Sequence, residues 1–304
     1  MTADDSILEI TNFLAMKHHL KLCRFCNSRL KPRIGMLDEE SSIIDLGVAG
    51  MEGMTALLER DDLAQHLEKL RRKKLRRFRL SSVRLLTPVE RQEVWAAGVT
   101  YLRSKVARMD ESDFSASAYG RVYDAERPEL FFKSLPEKVV HPEKPVGIRK
   151  DARWSVPEPE LALVINSKGS IAGYTIGNDM SSRDIEGENL LYLPQAKIYD
   201  HSCAVGPFIV VGASETEARS WKIRMEIHRD GREVFRGETA VDRIKRPLEQ
   251  LAHWFCRSQT LPNGAVLLTG TGIVPPDDFT LREGDGIRIH ITGIGDLRNR
   301  VVEV

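Results

Sequence analysis

Short apolar stretches recur through most of this 304-residue chain, separated by glycine-rich or polar turns. Beyond residue 85 these stretches have strand length, which predicts strands at 94–101, 130–133, 161–166, 171–178, 204–211, 222–228, 265–271 and 286–295. Helical spacing of apolar residues in the same part is confined to 103–109 and 246–258. The pattern predicts a mostly β domain, rolled or barrel-like, over residues 86–304.

The first 85 residues have a different pattern. Apolar runs between residues 21 and 46 are broken by turn sequences and predict short strands, whereas leucines recurring from Leu57 to Leu70 predict a helix. That helix continues into the basic run RRKKLRRFR (71–79), which suits a solvated helix end or a nucleic-acid patch. We predict a small N-terminal α+β domain over residues 1–85, and an α+β, mostly β fold for the whole chain.

Composition narrows the partners. The chain carries 45 Lys+Arg and 44 Asp+Glu, a formal charge of +1, so no overall field favours nucleic acid or a membrane surface, and a small molecule is the expected partner. No apolar run approaches the roughly 20 residues of a membrane span, and the first residues lack a secretory signal, which predicts a cytoplasmic protein. Cys23 and Cys26 have no second pair at zinc-ligand spacing, so we expect reduced, structural cysteines.

One stretch, WSVPEPELALVINSKGSIAGYTIGNDMSSRD (154–184), places three carboxylates near one another. Glu158 and Glu160 are two apart on a predicted strand and therefore share a face. NSKG (166–169) predicts a hairpin turn. Counting from the middle of that turn puts residue 177 opposite Glu158, so Asp179 is expected beside the glutamates, just past the end of the returning strand.

Three close carboxylates repel one another unless positive charge lies among them. An all-oxygen set of this kind suits Mg²⁺, with Mn²⁺ or Ca²⁺ as alternatives. Paired surface acids are the competing interpretation, with Arg153, Arg183 or Lys197 as partners. Spacing alone does not choose between a cation site and a salt-bridged sheet surface.

Ordered motifs favour the cation. The series EPELALVI, IAGYTIGNDMSSRD, LPQAKIYDHSCAVGPFIV and LLTGTGIVP, within residues 94–292, resembles the fumarylacetoacetate hydrolase family. The resemblance implies a β-roll domain that forms homodimers or homotetramers and binds Mg²⁺ and a 2-oxo acid. It implies metal ligands at Glu158, Glu160 and Asp179, a substrate-facing lysine at Lys197, and a substrate-carboxylate contact at Thr271.

A departure from the family pattern bears on the reaction. Family hydrolases and decarboxylases often carry G-x-N-Y-x-x-H-x-x-E, whose His/Glu pair activates water, whereas this chain has GVTYLRSKVA (98–107). Ser104 and Ala107 occupy the histidine and glutamate positions, so water activation by that pair is not expected. Tyr101, the tyrosine of this stretch, is expected to bind substrate. Residues 109–121, rich in Ser, Ala and Asp, are expected to form a lid.

A narrower resemblance supplies a different reaction. YGRVYDAERPELFFKSLPEKVV and DIEGENLLYLPQAKIYDHSCAVGP are similar to the 2-keto-3-deoxy-D-arabinonate dehydratase branch, which forms 2-oxoglutarate semialdehyde. In that branch Glu129 matches an active-site glutamate, although a structural glutamate at a strand entry is the alternative. The hypothesis is that Lys197 or Glu129 takes the carbon 3 proton and that Glu129 protonates the leaving hydroxyl.

Two alternative functions remain. An acylpyruvate or fumarylpyruvate-type hydrolase, or a decarboxylase or isomerase of aromatic catabolism, is the alternative enzyme, and a nucleic-acid binder is the alternative of another class.

Three further residues are expected near the site. Lys133 is expected to line the substrate cavity, or else to be a lysine extending to solvent from a strand end. Arg183 and Asp184 are expected to form a pair that orients Asp179, or else a sheet salt bridge.

Overall fold

The protein is described here by a computed structural model that covers residues 19–27, 31–39, 41–51, 53–103 and 121–304. Its strands are β1 Leu20–Cys26, β2 Arg33–Asp38, β3 Ser42–Asp45, β4 Arg77–Arg79, β5 Arg84–Leu86, β6 Glu93–Gly98, β7 Glu129–Ser134, β8 Val146–Ile148, β9 Ser155–Ile165, β10 Ile171–Ser182, β11 Cys203–Val205, β12 Ile209–Val211, β13 Lys222–Arg229, β14 Arg232–Ala240, β15 Ala265–Leu268, β16 Gly286–Ile291 and β17 Gly295–Glu303. Its helices are α1 Met54–Leu58, α2 Leu63–Arg71, α3 Arg183–Glu188, α4 Leu193–Lys197, α5 Glu215–Arg219 and α6 Leu248–Cys256. The α+β, mostly β class is confirmed.

The strands form two sheets. The larger sheet has 12 strands and runs β4-β3-β2-β1-β12-β10-β9-β15-β6-β7, with β11 and β5 pairing at its sides, and the smaller runs β14-β13-β16-β17-β8. Apolar residues of alternating positions fill both faces of the central strands: Leu161 and Leu163 of β9 pack toward the smaller sheet, while Ala162 and Val164 pack toward α1 and α2. Because both faces are buried here, β9 is continuously apolar from Leu161 to Ile165.

The larger sheet curls back on itself. Val140, in the chain that leaves β7 at one end of the strand order, forms a bridge with Ala204 of β11, and its amide donates to the carbonyl of Cys203. The edge strand β7 is thereby brought beside β10 and β11. This closure supports the rolled architecture expected from the pattern of short strands.

The N-terminal strands continue the larger sheet. β1 pairs antiparallel with β12, with Leu22 opposite Ile209, and β2, β3 and β4 follow outward in order. The boundary between domains 1–85 and 86–304 stays a prediction, and the sheet is hydrogen-bonded across it. The leucine repeat forms two helices, α1 and α2, where one was expected.

Two strand predictions are wrong in detail. The run 204–211 forms two strands, β11 and β12, because Pro207 lacks an amide donor and Gly206 adopts a positive φ of 132°. The hairpin register also differs: Glu158 stands opposite Asp179, not opposite residue 177. The loop after Ile165 is longer than the four-residue turn, and a register shift between Ile171 and Gly173 adds one residue to β10. Asp179 therefore lies inside the returning strand.

Other expectations have simple outcomes. All four cysteines are free thiols, three of them buried. In the part of the chain that the structure describes, no helix has the length and apolar character needed to cross a membrane. The basic run begins at the end of α2 and is largely exposed up to β4. Ser104, Ala107, all but the first residue of the predicted helix 103–109 and all but the last residue of the predicted lid 109–121 lie outside the described residues.

Candidate metal and substrate site

Three carboxylates meet on one face of the β9–β10 hairpin. Glu158 and Glu160 share a face because they are two apart on β9, and Asp179 is the cross-strand partner of Glu158. All three residues are buried, and one oxygen from each lies within 4.8 Å of the other two. The bulge near the hairpin turn sets this register, and a slip of one residue would move Asp179 to the opposite face.

Lysines from two other elements reach this cluster. Lys197, the last residue of α4, places Nζ 2.9 Å from Oε2 of Glu158 and 3.4 Å from Oδ2 of Asp179, and donates to Oγ of Ser181 at 2.5 Å. Lys133, on β7, places Nζ 2.5 Å from Oδ1 of Asp179. Both lysines are almost fully buried, so the salt-bridged surface considered from the sequence is not what forms here.

Glu160 is the carboxylate without a cation beside it in the described part of the chain. Its Oε2 accepts a hydrogen bond from the amide of Gly270 at 2.5 Å. Burial raises the pKa of Glu160 well above its usual range, and the charges of Asp179 and Glu158 raise it further, while Lys197 acts in the opposite sense. The cluster is thus short of positive charge at Glu160. A hard divalent cation, which prefers carboxylate oxygens, fits this donor set.

Lys133 is wholly inside the protein. Besides Asp179, its Nζ donates to the main-chain carbonyl of Met180 at 2.9 Å and to that of Lys197. The alternative of a lysine extending to solvent is therefore wrong. Lys133 ties α4 to β10 behind Asp179, and its expected contact with substrate stays a prediction.

Glu129 begins β7 and stands opposite Gly98 of β6. A Cβ added to Gly98 would overlap Oε2 and Cδ of Glu129, so the glutamate side chain lies across the space left by that glycine. The side chain is directed over the sheet toward β15 and β9. Glycine at position 98 is what leaves room for it there.

The carboxylate over Gly98 lies level with the acidic cluster. Ala96 of β6 and Ala162 of β9 stand beside Leu268 of the intervening strand β15. Gly98 lies two residues after Ala96 on β6, and Glu160 lies two residues before Ala162 on the antiparallel strand β9. Both therefore lie at the same level beyond Leu268 and on the same face of the sheet. Two strand spacings separate them, about 10 Å.

Replacement of Gly98 by alanine is expected to displace the Glu129 side chain without disturbing the three clustered carboxylates. Turnover should fall by about 10- to 100-fold, as expected for misplacement of a reacting group by about 1 Å. Divalent-cation binding, followed by calorimetry, should stay as in the unsubstituted protein. Unchanged turnover in this variant would mean that the Glu129 position seen here is unimportant for catalysis.

Thr271 and Tyr101 lie beside the cluster with their polar groups turned inward. Oγ1 of Thr271 lies 3.0 Å from the carbonyl of Pro159, to which it donates, and accepts from the amide of Ile273 at 3.2 Å. The buried Tyr101 hydroxyl has no hydrogen-bond partner among the described residues, and burial, with a contribution from the charge of Glu160, raises the pKa of Tyr101. The substrate contacts expected of Thr271 and Tyr101 stay predictions.

Arg183 and Asp184 contact different partners. The guanidinium of Arg183 lies 3.4 Å from Oε1 of Glu158, so it supports that glutamate, and a role of the two residues in orienting Asp179 stays a prediction. The carboxylate of Asp184 accepts from the main-chain amide of Arg153 at 2.8 Å. The two side chains diverge because they are neighbours at the start of α3, where successive residues point in different directions.

Sequence reasoning missed two polar neighbours of Lys197. Ser181 is two residues after Asp179 on β10, so strand alternation could have placed it on the same face. Glu186, in α3, is buried with Oε2 3.9 Å from Nζ of Lys197. No local pattern brings Glu186 to the site, because its position depends on how α3 packs against β9 and α4.

Comparison with known proteins places this geometry in a family. The family model described as fumarylacetoacetate (FAA) hydrolase C-terminal matches residues 93–302. A probable 2-keto-3-deoxyxylonate dehydratase of Haloferax volcanii is 48% identical over 217 residues, which cover 71% of this chain and 74% of that protein. A 2-dehydro-3-deoxy-D-arabinonate dehydratase of Saccharolobus solfataricus is 39% identical over 226 residues, covering 73% and 76%.

Solved structures agree with the sequence comparison. The structure of a 2-keto-3-deoxy-D-arabinonate dehydratase complexed with magnesium and 2,5-dioxopentanoate matches with a TM-score of 0.77 and 33% identity, and the match covers 93% of this chain and 99% of that one. The apo form of such a dehydratase matches with the same TM-score and 34% identity. The similarity extends beyond residues 93–302 into the N-terminal part.

Proposed function

Since the chain belongs to the fumarylacetoacetate hydrolase family, we propose that it is a Mg²⁺-dependent dehydratase of a 2-keto-3-deoxypentonate, which it converts to 2-oxoglutarate semialdehyde. The observation that carries this proposal is the arrangement on one face of the large sheet. A buried three-carboxylate cluster with Lys197 stands at one end, and the Glu129 carboxylate stands level with it across two strands. The magnesium complex of the dehydratase with the same fold supports the choice of cation and substrate class.

The cation ligands are proposed to be Glu158, Glu160 and Asp179, with Mn²⁺ or Ca²⁺ as alternatives to Mg²⁺. When bound, the cation supplies a Lewis acid that polarises the 2-oxo group and makes the carbon 3 proton acidic. Arg183 and Lys133 hold Glu158 and Asp179 in place from behind. A hard divalent cation takes more oxygen ligands than these three, so its set would be completed by oxygens of the substrate or of water.

The positions of Lys197 and Glu129 at opposite ends of the site suggest a different proton transfer for each. Lys197 touches two of the cluster residues, so its Nζ lies at the end where carbons 2 and 3 of a bound 2-oxo acid are held. Glu129 lies at the far end, where the carbon 4 hydroxyl falls. We assign removal of the carbon 3 proton to Lys197, acting as the neutral amine, and protonation of the departing hydroxyl to Glu129, acting as the carboxylic acid. Loss of water leaves a double bond between carbons 3 and 4. Transfer of a carbon 5 proton to carbon 3 gives an enol, and transfer of the enol hydroxyl proton to carbon 4 gives the aldehyde.

An assay with two substrate classes tests the proposal. Purified protein with Mg²⁺ should convert a 2-keto-3-deoxypentonate, lose this activity in excess chelator and regain it when Mg²⁺ is restored. Carbon 4 is the only stereocentre of such a substrate, so its two enantiomers establish the stereochemical preference. Turnover of acylpyruvates with no turnover of either enantiomer would overturn the dehydratase proposal in favour of the hydrolase alternative. Light scattering on the same sample tests the predicted homodimer or homotetramer.

A further inference from the structure

The segment 121–128, which leads into Glu129, is held by residues 241–247, the connector between β14 and α6. Arg246, only 8% exposed, donates from its guanidinium to three main-chain carbonyls: that of Glu126 at 2.8 Å, that of Ala125 at 2.5 Å and that of Val122 at 3.4 Å. These carbonyls belong to the helical residues 121–124 and the bend that follows. A buried arginine that donates three hydrogen bonds to the main chain of one short segment fixes the path of that segment.

Lys245 adds a second attachment to the same segment. Its Nζ donates to the carbonyl of Tyr123 at 2.8 Å and to Oδ1 of Asp124 at 2.7 Å, and lies 4.2 Å from the centre of the Tyr123 ring. The guanidinium of Arg127 stacks on the ring of Trp254 at 4.6 Å. The whole approach to β7 is thus attached to residues 245–254.

The same connector is fixed to the acidic cluster. The amide of Lys245 donates to the carbonyl of Thr100 at 3.0 Å, and Oγ1 of Thr100 donates to the carbonyl of Thr269 at 2.5 Å. The next residue, Gly270, donates its amide to Glu160. One rigid series of hydrogen bonds therefore joins the support of Glu129 to the support of Glu160.

The connector is in turn braced from behind. Arg219 of α5 donates to the carbonyls of Ile244 at 3.1 Å and of Arg246 at 2.5 Å, and its own carboxylate partner, Glu215, accepts from the amide of Leu248 at 2.8 Å. These bonds fix the main chain around Arg246. Its side chain therefore holds the segment that precedes β7 from a fixed position.

From these contacts we propose that Arg246 is a positioning residue, which holds segment 121–128 so that the Glu129 carboxylate lies over Gly98 at the level of Glu160. The inference rests on the proposed function, because it assigns Arg246 a role through Glu129. Lys245 acts in the same way, more weakly, since its side chain is 40% exposed and its attachment competes with water.

The test combines a structural and a catalytic measurement on Arg246→Ala, with Arg246→Lys as the conservative variant and Arg243→Ala as the matched control. Arg243 belongs to the same connector and is exposed. Amide hydrogen exchange followed by mass spectrometry should rise in peptides covering 121–134 of Arg246→Ala, and stay unchanged in those covering 156–165. Arg246→Lys should give an intermediate rise, and Arg243→Ala none.

The catalytic arm separates positioning from general loss of structure. In Arg246→Ala, kcat for dehydration should fall about 10- to 100-fold with KM little changed. Exchange of the carbon 3 protons with D₂O, assigned to Lys197, should continue at the normal rate. In a Glu129→Gln background, Arg246→Ala should cause no further loss of dehydration.

Each contrary outcome has a distinct meaning. Unchanged amide exchange at 121–134 overturns the proposed attachment, and raised amide exchange with normal dehydration overturns the positioning of Glu129. Equal losses of dehydration and carbon 3 exchange indicate a general structural role and also overturn it. If the unsubstituted protein dehydrates neither enantiomer, the proposed function fails, while the amide-exchange result still decides whether Arg246 holds the segment.

Discussion

Replacement of Glu160 by glutamine is expected to abolish Mg²⁺-dependent dehydration and, at the same time, to stabilise the cation-free protein. Glutamine keeps the size of the side chain and can still accept from the Gly270 amide, but it removes a negative charge from beside Glu158 and Asp179. Loss of one of three ligands should lower kcat/KM by about 10³-fold or more. Removing a buried negative charge from beside two others should stabilise the cation-free fold by about 1 kcal/mol.

The stability gain is expected to depend on pH. The pKa of Glu160 is raised in the folded protein, so its protonated form is preferred there. A raised folded-state pKa contributes stability that is fully present below the unfolded-state pKa and is lost as the pH rises toward the folded-state pKa. The stability advantage of Glu160→Gln over the unsubstituted protein should therefore be small near pH 4. It should grow toward neutral pH, because the Glu160 carboxyl group ionises more readily in the unfolded protein than in the folded one.

Thermal unfolding with and without Mg²⁺ measures both effects. The unsubstituted protein should gain stability from Mg²⁺, because the cation binds the folded state, and Glu160→Gln should not. Glu226→Gln is the matched control, since Glu226 belongs to a second acidic group, with His228 and Glu233, that is paired with arginines on the smaller sheet. A persistent Mg²⁺ shift in Glu160→Gln would show that the cation binds elsewhere.

Replacement of Glu129 by glutamine is expected to stop dehydration while leaving the carbon 3 protons exchangeable. The variant keeps the shape of the side chain over Gly98 but cannot deliver a proton to the leaving hydroxyl, which should cost about 10²- to 10⁴-fold in kcat. Lys197, the proposed carbon 3 base, is untouched on the other side of the site. Proton NMR of a 2-keto-3-deoxypentonate in D₂O measures loss of the carbon 3 signal and formation of product separately.

Lys197→Met supplies the complementary result. It should lose both carbon 3 exchange and dehydration, whereas Glu129→Gln should lose only the second. If instead Glu129→Gln stops carbon 3 exchange and Lys197→Met retains it, the two roles are reversed. Circular dichroism of both variants checks that the fold is intact, which matters for Lys197 because its ammonium contacts Glu158 and Asp179.

Local rules predicted the ligand face well and its surroundings poorly. Alternation along β9 was enough to place Glu158 and Glu160 together, and the turn at NSKG was enough to return the chain toward them. The hairpin register was missed by two positions, because the loop is longer than the turn motif and β10 carries a bulge. Loop length and bulges depend on packing against other strands, which a single hairpin sequence does not contain.

Residues that approach the site from distant segments were beyond local reasoning. Glu129 was identified through a family resemblance, and its reach over Gly98 depends on the pairing of β6 with β7. For Lys133 the solvent alternative is wrong, because the sheet curls and brings β7 against β10, so that the lysine is buried against Asp179. The contact of Arg183 with Glu158 likewise depends on how α3 packs, which no local pattern contains.

The sequence by itself determined the mostly β class, the family and the three carboxylates, because strand periodicity, ordered motifs and residue spacing are local properties of the chain. Only the tertiary structure decided which charges neutralise the cluster, that Glu160 is left without a cationic partner among the described residues, and that Arg246 bonds to the carbonyl of Glu126 in the segment before Glu129. Burial and electrostatic balance arise when distant segments pack together and exclude water, so they appear only in the folded molecule.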